Sequence, residues 1–88
     1  IVVTLYMREI EPSFDLELEG HTITVTEHEI KGKRVFYIDF KGWKKPLVIT
    51  VALTNREEKF WTSIPEGRQP EAEQIGKLIA AYIRNRRS

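Results

Sequence analysis

Between residues 14 and 64 the apolar side chains return at every second position, and from residue 70 onward they return at every third or fourth. A period of two belongs to a strand with one face in a core, and a period near 3.6 belongs to a helix with one apolar stripe. A single switch from the first pattern to the second leaves little choice of fold. The sequence predicts an α+β domain, an antiparallel β-meander of five strands with one C-terminal amphipathic helix packed on one face. A candidate sixth strand lies at 1–6, where the residues are β-branched and aromatic but weakly patterned.

The strands are predicted at 14–19, 21–30, 34–40, 47–53 and 59–64. Gly20 and the Lys31-Gly32-Lys33 run mark tight hairpin turns, because glycine supplies the positive φ that such turns require. The segment 41–46, with Gly42 and Pro46, forms a longer connection, and a turn around Asn55 and Arg56 precedes the last strand. Every connection is short, so strands adjacent in sequence are expected to pair antiparallel. Alternation assigns Phe14, Leu16, Leu18, Ile23, Val25, Phe36, Ile38, Phe40, Ile49, Val51, Phe60 and Ile64 to the face under the helix. The opposite face is then expected to carry Asp15, Glu17, Thr22, Thr24, Thr26, Tyr37, Asp39, Val48, Thr50, Lys59 and Trp61.

The helix is predicted over 70–86, with Pro70 as its first residue. Ala72, Ile75, Leu78, Ile79, Tyr82 and Ile83 form one apolar arc, with Glu73, Lys77 and Arg84 opposite. Early acids and late arginines suit the helix dipole, and Glu73 and Lys77 stand at the spacing of an ion pair. Gly76 lowers helix stability by about 1 kcal/mol relative to alanine. Its place beside the arc calls for close approach of helix and sheet in return.

Eighty-eight residues make one domain, 1–88, and the hydrophobic (41%) and charged (31%) fractions are those of a folded chain. The chain has no cysteine, which removes disulfides, thiolate metal sites and a cysteine nucleophile. A secreted domain of this size usually carries disulfides, so a cytoplasmic location is expected. No apolar run is long enough to span a bilayer as a helix, and the opening IVVTLYM lacks the basic start of a signal peptide.

Chemistry is sparse. His28 stands between Glu27 and Glu29, but neighbours in a strand point to opposite faces, and His21 has the other parity. No metal site is expected, and the glutamates read as solvated. The five glycines are isolated and match no phosphate-binding loop, and Ser13 and Ser63 have no local base. The chain is therefore expected to be non-enzymatic and to hold no cofactor.

Charge is unevenly spread. Residues 1–30 carry one basic side chain against seven acidic ones, and residues 31–64 carry eight against three. Lys31, Lys33, Arg34, Lys41, Lys44 and Lys45 fall in one short stretch with Tyr37 and Trp43 among them. Bases around exposed aromatics are what single-stranded nucleic-acid surfaces use, so these six are the candidate polyanion contacts. Against that reading, the bases cluster in turns, and Asp15, Glu17 and Asp39 on the open face would repel phosphate. The favoured expectation is a protein-interaction domain, binding a protein partner or a second copy of itself as a homodimer. Its candidate surface is the open sheet face led by Tyr37 and Trp61, with Val48 beside them and Trp43 on the adjoining loop.

Overall fold

The computed structural model describes residues 9–87; the candidate strand at 1–6 lies outside them. Five strands follow in chain order, β1 (Phe14–Leu18), β2 (His21–Ile30), β3 (Lys33–Asp39), β4 (Leu47–Leu53) and β5 (Lys59–Ser63), then one helix, α1 (Gln69–Arg87). They form a single curled sheet in the order β1-β2-β3-β4-β5, each pair antiparallel. The first two hairpins turn on two residues each. Glu19 and Gly20, then Lys31 and Gly32, all have positive φ, the conformation whose twist matches the flanking strands.

Because the register pairs Phe14 with Val25, Val25 with Ile38 and Phe36 with Ile49, the alternating apolar residues of β1–β4 share one face. The helix lies on that face. Ile23, Val25, Ile38, Ile49, Ala72, Ile75 and Ile79 are fully buried there, and Leu78, Tyr82 and Ile83 pack against them. The helical arc is thus the one expected. At its C-terminal end Tyr82 stacks on Phe14 of β1, with ring centroids 3.9 Å apart; nearer its start Gly76 lies against Trp61 of β5. The helix therefore crosses the curled sheet from one edge toward the other. The Glu73–Lys77 pair expected from spacing does not form. Glu73 instead accepts a hydrogen bond from the Gln69 side-chain amide.

Strand β5 presents the reverse of the expected faces. Its register sets Trp61 opposite Val51 and Phe60 opposite Ala52. Trp61 therefore turns to the helix side, edge-on to Phe36, while Phe60 and Ile64 are exposed. Val51 does point to the helix side but lies beyond the helix's cover and stays exposed.

Polar residues inside the fold are hydrogen bonded. Ser63 is buried on the helix side; its hydroxyl donates to the Pro65 carbonyl and accepts the Arg68 N–H. One side chain thus shapes the connection into α1. Ser63→Ala leaves both backbone groups short of a partner and is expected to lower stability by about 1–2 kcal/mol, measured by urea denaturation. Glu27, read from sequence as solvated, is also buried. Its parity is that of Ile23 and Val25. It accepts the Glu11 N–H at 2.8 Å and pairs with Arg34 at 3.1 Å.

Candidate functional site

The outer face, away from α1, is assembled from the alternate residues of each strand, and it divides into two halves. Over β1 and β2 it is polar and already hydrogen bonded. Thr22 donates to Glu17 at 2.6 Å and Thr24 to Asp15 at 2.7 Å, and Asp39 accepts the Lys41 N–H. Over β3–β5 it is apolar. Tyr37 pairs with Val48, and the Ile64 N–H bonds the Val48 carbonyl, so Tyr37, Val48 and Ile64 make one row across the sheet. The neighbouring row holds Val35, Thr50 and Thr62, of which Val35 and Thr50 are buried. Beyond it stand Ala52 and Phe60. Tyr37 is 39%, Phe60 37% and Ile64 43% exposed. Among the described residues no helix packs over this half.

Of the four residues marked from sequence, the structure brings Tyr37 and Val48 together on this face. Trp61 belongs to the other side of the sheet. Trp43 sits at one end, half-buried, with the His21 imidazole stacked on it at 3.8 Å, Phe40 edge-on and the Lys44 ammonium 5.1 Å from its centroid. Phe60 and Ile64 take the place given to Trp61. Sequence alternation missed them by choosing the more apolar parity of β5.

The six candidate polyanion contacts do not converge. Lys31 and Lys33 lie at the β2–β3 turn, while Lys41, Lys44 and Lys45 lie in the connection after β3. A seven-residue strand holds the two groups roughly 20 Å apart. Arg34 is held by Glu27 and Glu29, each at 3.1 Å, and the Lys44 ammonium lies 3.2 Å from Glu71.

Where α1 begins, Arg68 gathers the nearby loop. Its guanidinium donates to both carboxylate oxygens of Glu71 and to the carbonyls of Lys45 and Pro46, and it lies 5.7 Å from the centre of the Phe40 ring. The hydrogen bond from Arg68, assisted by Lys44 and opposed by partial burial, holds the Glu71 carboxyl below the ordinary value of 4.5.

No group of three or more histidine, aspartate or glutamate side chains among the described residues is placed to hold a metal ion. No helix among them is long and apolar enough to cross a membrane. No protein-family model, curated protein or solved structure matches the chain.

Proposed function

We propose that this domain is a non-enzymatic protein-binding module that associates with a second copy of itself through the apolar half of its outer sheet face. The observation that carries this reading is the uncharged row Tyr37, Val48 and Ile64 with Phe60 beyond it. A contact between two identical uncharged patches has no like-charge repulsion to overcome, and a two-fold axis makes it self-limiting. The polar half beside it, with Asp15, Glu17 and Asp39, supplies the charged rim that interfaces commonly have. The patch is small beside the roughly 1,000 Å² that stable interfaces bury, so the association is weak. The absence of cysteine fits a reducing compartment, and the proposal places the domain in the cytoplasm.

Sedimentation velocity from about 10 μM to about 1 mM tests the reading at affinities typical of weak contacts. The expected result is a mass that rises toward twice the monomer. Tyr37→Asp puts an unpaired charge into the contact and is expected to weaken association at least about tenfold. A strict monomer over the whole range removes self-association.

Single-stranded nucleic-acid binding is the alternative. Its supporting observation is that Lys41, Lys44 and Lys45 share one connection with Trp43. It is the weaker reading, because Trp43 already carries His21 against its ring and Lys44 is paired. Titration of a fluorescent oligonucleotide at ~50 mM salt, where the electrostatic contribution is large, separates the two.

A further inference from the structure

A second exposed apolar region lies on the helix side of the sheet and shares only Phe60 with the outer-face patch. Between β5 and α1 runs a groove of about 230 Å³ lined by Val51, Lys59, Phe60, Trp61 and Ala80. It lies beside the packing of α1 on β5, where the diagonal helix leaves Val51 of β4 uncovered. The register carries the apolar floor on to Leu53, which pairs with Lys59 and is 61% exposed.

The charges along the strand and helix walls of this groove are basic. Lys59 lines it from the strand. On the helix, Lys77 and Arg84 stand three residues before and four after Ala80, on the same side as that lining residue, and both are exposed. Four of the described basic side chains are engaged by carboxylates: Arg34 by Glu27 and Glu29, Lys44 and Arg68 by Glu71, Arg86 by Glu11. Lys31, Lys33, Lys41, Lys45 and Arg56 are not, but they lie in or beside the turns and connections between strands rather than along the groove. Among the described residues no carboxylate lies within ion-pair distance of Lys59, Lys77 or Arg84. The nearest acid upstream on the helix, Glu73, is hydrogen bonded to Gln69. Glu57 and Glu58 lie in the turn before β5.

We infer that this groove is a binding site for an acidic peptide segment that inserts a large apolar side chain between Trp61 and Ala80 and sets its carboxylates against Lys59, Lys77 and Arg84. An apolar slot with charges of one sign on both walls selects for that chemistry, since the slot supplies the contact area and the rim the choice of partner. A second copy of this chain does not meet it through α1, whose exposed side would bring Lys77 and Arg84 against the same charges. The inference does not rest on self-association through the outer face: the two surfaces share Phe60 alone, and neither the basic rim nor the Trp61–Ala80 slot belongs to that face.

The test is fluorescence anisotropy with a labelled short peptide that has tryptophan and leucine at its centre and glutamates on both sides. Two control peptides carry glutamine for every glutamate, or alanine for the tryptophan and leucine. Saturable binding of the first peptide is expected, with both controls weaker by about tenfold or more. Ala80→Gln, which fills the slot from a half-buried helix position without adding charge, is expected to abolish binding. The double reversal Lys77→Glu with Arg84→Glu is expected to weaken the glutamate peptide at least about tenfold and to favour a lysine-flanked version of it. Circular dichroism of each variant confirms that the helix is retained. Equal binding of the glutamine or alanine control overturns the inference. So does unchanged binding by Ala80→Gln, or the lack of any saturable binding at low salt. Sedimentation of the same variants reads self-association separately, so the two proposals fail independently.

Discussion

Gly76→Ala is expected to destabilise the domain, although alanine is the better helix former. A Cβ at this position would fall inside the contact distance of three atoms of the Trp61 indole, Cγ, Cδ1 and Cδ2. That ring is rigid and wedged against Phe36, so the strain belongs at or above the upper end of the ~1–3 kcal/mol range for overpacking. Helix propensity returns about 1 kcal/mol. The net loss is about 2 kcal/mol or more, equivalent to a fall in melting temperature of about 10 °C for a domain of this size. The sign is expected to reverse when the ring is absent. In a Trp61→Ala background the same Gly76→Ala change meets no indole and stabilises by up to about 1 kcal/mol. Urea denaturation of the four proteins in this cycle checks the prediction; equal effects of Gly76→Ala in both backgrounds would refute it.

Arg68→Ala is expected to lower stability by about 2–3 kcal/mol, because it removes a two-pronged charged contact and leaves two carbonyls without their donor. The carbonyls belong to Lys45 and Pro46, in the connection between β3 and β4, and the carboxylate belongs to the first turn of α1. Arg68→Lys is expected to recover little of this, since an ammonium cannot serve both groups with a planar fork. The pH dependence has a definite sign. Glu71 titrates below its ordinary 4.5 in the folded chain, chiefly because of the hydrogen bond from Arg68. Its ionised form therefore stabilises the fold at pH values above about 4.5, and that stabilisation is lost as the pH falls through the folded value. The gap between native protein and Arg68→Ala should be full near neutrality and should narrow in acid. Denaturation midpoints at neutral pH and in an acid series measure it. A gap independent of pH would show that Glu71 is not the partner that matters.

The strands and the helix were legible to within a residue or so because alternation, glycine turns and the switch of period all agreed. The faces of β1 to β4 followed from the same alternation. Strand β5 did not, because in Phe60-Trp61-Thr62-Ser63-Ile64 both parities contain a large aromatic. The parity with more apolar residues was the wrong one. Pairing register decides such a case, and a shift of one residue exchanges every side chain between faces. A clue was available in Gly76, a costly residue inside an apolar helical arc, which implied something bulky across from it. That object is Trp61. Glu27 was misread for the opposite reason: its parity was inward, but its charge suggested water, and Arg34 is what makes an inward place tolerable. Whether the bases from Lys31 to Lys45 form one patch was not legible, because nearness in sequence does not fix nearness in space.

Among the described residues the two outer strands of the sheet are guarded in different ways. At the β5 margin the Gln69 amide already occupies the Trp61 carbonyl, and at the β1 margin Asp15 and Glu17 stand along a five-residue strand. An incoming strand would have to displace a side chain at one border or lie beside two negative charges at the other. Lengthening this β-layer by adding chains end on end is therefore discouraged. If copies meet through the outer face as proposed, they would stack flat against one another without being drawn into fibres, and the assembly would stay a discrete particle at high concentration.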